Sequence, residues 1–333
     1  MRGQLQRYNS QTMVALDLNT VRTLLRLAGF SLLMFCLGAP AYETDQFTQR
    51  RHQIADSQSL LNQKVNLAIG DSILGITDPD SSLVVVNRIY HRLGGLSSVD
   101  KIESWAMHSD EIERLPISDD TSIYSEIPIW ATRVAGFAGV GATIKVNGVL
   151  MGTDKLGHFI SQGRKFYLRW LGMQNVEEAA QRSALTENAI FGKLSTGSYS
   201  NADLVANYEG FRFYRSLFEP DHLTGKAPIL VWKNDHWAMQ RPFEWADYVN
   251  DYWDEALNIN QFDRVLYPYM KERLLELCDW YELYSHLYQL HNEAELKKRY
   301  EYLQLKDTSE LRFSNLCSAE ASSINQSGST GSR

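Results

Sequence analysis

The side chains able to do chemistry in this chain gather near its middle. Asp154, Lys155 and His158 stand together in Gly152-Thr153-Asp154-Lys155-Leu156-Gly157-His158-Phe159. On a helix over 154–171, with Thr153 as its N-cap, Asp154 and His158 fall at i and i+4 on one face, which Gln162 and Lys165 extend. An acid one turn before an imidazole can orient the ring or bind a metal with it, and it can equally be a satisfied structural pair at a helix start. Glu187 belongs to a second predicted helix over 176–191. Asp203, Asn207 and Gly210 line one face of a third, over 203–218, begun by Ser200. Ser200 with Asp203 also reads as a capping box, in which the acid does no more than tie down the first turn. Gly210 costs a helix about 1 kcal/mol relative to Ala, so its place calls for a close helix contact or an approaching ligand.

Two catalytic chemistries suit these residues. A protonated Glu187 as general acid with Asp203 as base or electrostatic stabiliser would cleave a glycosidic bond, given carboxyls about 5 to 9.5 Å apart. Alternatively Asp154, His158 and Glu187 or Asp203 would coordinate a divalent ion such as zinc and activate water. The catalytic candidates are therefore Asp154, His158, Glu187 and Asp203. The same four are the metal candidates, and the cofactor expected is none or a divalent metal. Lys155 and Asn207, on the same polar faces, are candidate substrate-binding residues. So are Trp245 and Tyr248 from the aromatic stretch 243–253, whose ring faces could stack on sugars or could simply fill the core. No H-E-x-x-H, G-x-S-x-G or P-loop segment accompanies them. The competing reading is a noncatalytic envelope protein in which a polar helix junction locks the fold and aromatic loops bind glycan or protein.

As an ordered set, Asp154-Lys155, His158-Phe159, Glu187, Ser200, Asp203-Leu204, Ala206-Asn207 and Gly210 resemble the pattern of YfiM-like putative lipoproteins and VanZ-like proteins. That pattern is a D-K-x-x-H-F helix, an acid on the next helix, and a D-x-x-x-N-x-x-G helix. The resemblance spans residues 152–215 and implies three helices packed with their polar faces together. It carries no activity. VanZ-like proteins are multi-span membrane proteins, whereas no qualifying span is expected here after the leader, and about 120 residues follow the motif.

The elements that must position these groups read as mainly α, a helical bundle-like core with one or two small β-hairpins. Helical patterning is expected in 43–68, in 87–93, for which the β-branched run Leu83 to Val86 is either a short strand before it or its entry, and from Ser98 to Arg114 before Pro116. Asn147-Gly148 predicts a tight hairpin within 143–150, and Ile229 to Trp237 a second one. Residues 262–305 read as a long helical region interrupted near 290–292. The 317–333 segment, rich in Ser and Gly, is expected to be a flexible tail. Residues 42–316 form one mostly helical domain, with 220–228 as a possible subdivision.

Composition bounds the function classes. Of 333 residues, 33 are Lys or Arg and 40 Asp or Glu, a formal charge of -7, with 44 % apolar residues. That is a folding chain without the basic footprint nucleic acid requires. Arg22 and Arg26 precede the apolar Leu27 to Leu37, and Gly38-Ala39-Pro40-Ala41 offers small residues for cleavage after Ala41, so residues 1–41 read as a signal peptide. The bulky residues before Cys36 argue against a lipid anchor. The expected setting is the periplasm or outside the cell, and the expected partners are envelope glycan, peptidoglycan above all, or envelope protein. Cys278 and Cys317 would remain as an even pair in an oxidising compartment, where a disulfide is expected.

Overall fold

The structure is a computed structural model, and it describes residues 43–95, 99–132, 139–186 and 197–319. The expected leader, Glu187 and most of the expected tail lie outside the described residues. Ten helices are labelled in chain order: α1 (Gln58–Ile73), α2 (Ser82–Leu93), α3 (Lys101–His108), α4 (Ile129–Thr132), α5, α6 (Val176–Thr186), α7 (Asn201–Ser216), α8 (Tyr267–Glu276), α9 (Cys278–Tyr284) and α10 (Glu293–Arg299). Helix α5 runs without a break through Asp154–Gly157, His158–Gln162 and Gly163–Met173, the middle five residues in π-helical hydrogen bonding. Among the described residues, eight strands pair in twos, and the fold is mainly α with small two-stranded sheets.

Helix α7 is the axis. Fourteen of its sixteen residues are buried, far more than the single apolar stripe of a surface helix. In the same core α1 buries Leu61, Val65, Ala68 and Ile69, and α2, packed on α1, buries Val85, Val86, Ile89 and Leu93. The β-branched run 83–86 is therefore helical: Val85 and Val86 fill the inward face of α2, while Leu83 and Val84 stay exposed. Helix α3 is shorter than its sequence pattern, ending at His108. Asp100 and Glu103 form a capping box at its start.

Both expected hairpins form. Strand β3 (Thr143–Val146) pairs with β4 (Val149–Gly152), and Asn147 and Gly148 both take positive φ, the geometry of a two-residue primed turn. Strand β6 (Leu230–Lys233) pairs with β7 (His236–Met239) through Asn234 and Asp235, which also take positive φ. Short pairs remain: β1 (Glu43–Thr44) lies parallel to β2 (Val140–Gly141), and β5 (Ser198–Tyr199) lies antiparallel to β8 (Gln261–Phe262). The stretch 220–228 is pinned at its exit, where the amides of Ile229 and Leu230 donate to the carbonyls of Ser216 and Leu217.

The long helical region expected over 262–305 is broken into α8, α9 and α10. The break near 290–292 falls where Asn292 takes a left-handed conformation. Residues 313–319 are helical, so residues 317–319 belong to ordered structure and not to the tail. Cys278 at the start of α9 is disulfide-bonded to Cys317 in the helical residues 313–319. Closing a loop with a sequence separation of 39 restricts the unfolded chain by about 4 kcal/mol on the chain-entropy account. Among the described residues, no helix is long and apolar enough to cross a membrane.

Candidate functional site

Two glycines set the geometry. Helices α5 and α7 cross at Gly163 and Gly210, so closely that a Cβ on Gly163 would lie 2.5 Å from the Gly210 Cα, and one on Gly210 would overlap the Phe159 carbonyl. The close contact expected at Gly210 is therefore with a helix. This crossing lays the first turns of α5 along the first turns of α7 and brings Asp154, Lys155 and His158 beside Asp203 and Asn207.

Lys155 is the buried hub, its side chain 1 % exposed. Its ammonium lies 2.6 Å from Asp154 Oδ2, 2.8 Å from Asp203 Oδ1 and 2.8 Å from Glu255 Oε1. The Ser200 hydroxyl also donates to Glu255 Oε1, at 3.1 Å. Burial pulls the ammonium's pKa down, but the three carboxylates outweigh it and hold the group well above the ordinary lysine value. Burial pushes Asp203 up, but His158 and Lys155 prevail and its carboxyl is held below the usual range. Glu255, almost wholly buried, is raised by burial in spite of Lys155.

His158 is held at both edges. Its Nδ1 meets Asn207 Oδ1 at 3.0 Å, and its Nε2 stands 3.3 Å from Asp203 Oδ2. An oxygen acceptor at Nδ1 calls for the proton there, which places the neutral ring's lone pair on Nε2. The side chains of Asp154, His158 and Asp203 are 19 %, 17 % and 15 % exposed, so solvent reaches them while Lys155 beneath is sealed. These three also form a group whose ligand atoms all lie within 4.8 Å of one another. No protein-family model, curated protein or solved structure matches the chain, so what the site does has to come from this arrangement.

The expected residues are placed as follows. Asp154, Lys155, His158, Asp203 and Asn207 are brought together; Glu187 lies outside the described residues. Trp245 and Tyr248 are buried among Phe159, Phe213, Phe243 and Trp253, and the stacking role expected of them has no open ring face. Thr153 does not cap α5, because its own backbone is helical and its side chain makes no cap bond. Ser200 does cap α7, accepting from the Asp203 amide at 3.1 Å, but the Asp203 carboxylate turns to Lys155 and His158 instead of closing a capping box.

Sequence spacing missed Glu255, Glu103 and Asp100. Glu255 follows Asp203 by dozens of residues through irregular chain, and its one signal was an acid inside an aromatic, core-forming stretch. Glu103 lies at the start of α3, where its capping pattern concealed a second role. Burial, then the charge of Asp154, lifts Glu103 to about 8, against the favourable charge of His158. Burial also lifts Asp100 to about 6 although the Ser161 hydroxyl donates to it at 2.5 Å.

Between its ordinary value of 4.5 and its folded value of about 8, Glu103 keeps a proton in the folded state that the unfolded chain has lost. Stability from this group is thus full below about pH 4.5 and is lost as pH rises through about 8. Glu103→Gln removes the titration and keeps the shape. In urea unfolding at pH 5, 6.5 and 8, the variant is expected to lose less stability over that range than the parent and to be the more stable at pH 8.

Proposed function

We propose that this protein is an exported hydrolase of the cell envelope, acting on peptidoglycan or another envelope polymer at the junction of Asp154, His158 and Asp203. The observation that carries the reading is the convergence of His158 Nε2 and Asp203 Oδ2 at 3.3 Å, on the solvent-reaching side of a cluster whose lysine is sealed. A water molecule there would pass a proton to the site as its oxygen adds to the scissile centre, and the leaving group would take a proton in turn. The basic, apolar and small-residue order of residues 22–41 supports export, and so does the Cys278–Cys317 disulfide, which belongs to an oxidising compartment. The paired-acid route needs Glu187 opposite Asp203. The resemblance to YfiM-like and VanZ-like proteins rests on its residues in 152–215 alone.

One observation favours a noncatalytic reading: three carboxylates saturate a lysine that no solvent reaches, which is how a polar lock would look. Hydrolysis separates the two. The full chain is incubated with purified envelope glycan and with its peptide cross-bridges beside His158→Gln and Asp203→Asn, and circular dichroism monitors the fold. Product that disappears in folded variants supports the hydrolase. A folded parent that releases no product from either substrate leaves the lock.

A further inference from the structure

We infer that Asp154, His158 and Asp203 form a binding site for one divalent transition-metal ion, zinc by the chemistry of its donors. The inference concerns the same site as the proposed hydrolysis, but binding is measured without turnover, so either can fail alone. Three protein ligands of carboxylate and imidazole type, with solvent at a further position, are the donor set of an open zinc site. Tetrahedral coordination at zinc–ligand distances of 2.0 to 2.2 Å spaces neighbouring ligand atoms roughly 3.3 Å apart. His158 Nε2 and Asp203 Oδ2 already stand at 3.3 Å, and Asp154 has only to close from within 4.8 Å.

The surroundings are those of a metal site. Asn207 holds the ring through Nδ1, which is what an outer partner does for a histidine ligating through Nε2. Lys155 occupies Oδ2 of Asp154 and Oδ1 of Asp203, which leaves Oδ1 of Asp154 and Oδ2 of Asp203 for an ion. An observation outside the cluster points the same way. Thr44 is buried on β1 at 1 % exposure, and its hydroxyl and Asp154 Oδ1 are both buried with no hydrogen-bond partner. Both oxygens press into the space above Gly152, where any Cβ would collide with them. Buried oxygens left unpaired keep their full desolvation penalty, and an ion taking Asp154 Oδ1, with its bound water donating to Thr44, removes it.

Charge agrees. Three carboxylates around one ammonium leave an excess of negative charge, and an ion bound at His158 Nε2 would take the place of a proton on that nitrogen. Such an ion would polarise a carbonyl and lower the pKa of its water, chemistry that serves an amide or ester bond, whereas a glycosidic bond calls for paired acids.

The test uses the full chain freed of metal by chelator and titrated with zinc chloride in a calorimeter, with metal content by mass spectrometry. Zinc, manganese and magnesium are compared. One zinc per chain is expected, with affinity weakened at least 100-fold in His158→Gln and Asp203→Asn and 10- to 100-fold in Asn207→Ala. Glu178→Gln, on the exposed face of α6, serves as the unaffected control. Circular dichroism establishes that each chain is folded, and Asp154→Asn supplies a further ligand variant if one fails to fold. A folded parent that binds no zinc at millimolar concentration overturns the inference, as does zinc binding that all three ligand substitutions leave unchanged.

Discussion

Lys155→Met is expected to destabilise the fold by about 3 to 5 kcal/mol, the cost of breaking a buried ion cluster by removing one partner. Methionine matches the length of the lysine stem, so lost volume contributes little. What remains is Asp154, Asp203 and Glu255 facing one another with no cation among them. Two of the three side chains keep some exposure or a second partner, but Glu255 is 2 % exposed and, among the described residues, keeps the Ser200 hydroxyl as its side-chain partner. The loss also has a pH signature. Without the ammonium the carboxyls protonate more readily in the folded chain than in the unfolded one, so the deficit is largest at neutral pH and shrinks as pH falls toward 4. Adding Glu255→Gln to Lys155→Met should recover part of the stability at pH 7. Urea unfolding of the single and double variants at pH 4.5 and pH 7 measures this, and a Lys155→Met chain as stable as the parent at pH 7 would show that the cluster is not held by its charge.

Gly210→Ala is expected to cost about 3 kcal/mol or more, although alanine is the better helix former by about 1 kcal/mol. The new methyl meets the Phe159 carbonyl and the Gly163 Cα, and neither is the movable end of a flexible side chain. The two helices can accept it only by moving apart. That separation would draw His158 from Asn207 and Lys155 from Asp203, so metal affinity and stability should fall together. Gly172→Ala is the internal control, since it lies in the same α5 and a Cβ there meets nothing within 4 Å. It should stabilise by up to about 1 kcal/mol. Chemical denaturation of the two variants side by side separates helix propensity from helix crossing, and a neutral Gly210→Ala would mean that the two helices do not need this close approach.

Much of the helical architecture was legible because apolar spacing records burial directly. Leu61, Val65 and Ala68 announce the inward face of α1, although the helix expected over 43–68 runs from Gln58 to Ile73 and Glu43–Thr44 is a strand, and Asn147-Gly148 announces its turn through a backbone requirement few other pairs meet. Boundaries were less legible. The valines of α2 fit a strand or a helix by local preference, and only the absence of a partner strand decided between them. The 262–305 region kept helical composition, yet its packing against the rest of the chain broke it into short pieces.

The site divides in the same way. The i, i+4 relations that place Asp154 with His158, and Asp203 with Asn207, are properties of a single helix, so the sequence by itself determined them, together with the two cysteines able to pair and the glycine that demanded a close neighbour. Which helix met that glycine, which groups surrounded Lys155 and which aromatics were left open depended on contacts between residues distant in the chain. Glu255, Glu103 and Thr44 reach the cluster from three other segments, and Trp245 and Tyr248 turn inward around Phe159. The physical reason is that local periodicity fixes the direction of a side chain relative to its own helix, whereas burial, charge balance and coordination are set by what the other helices bring to that face.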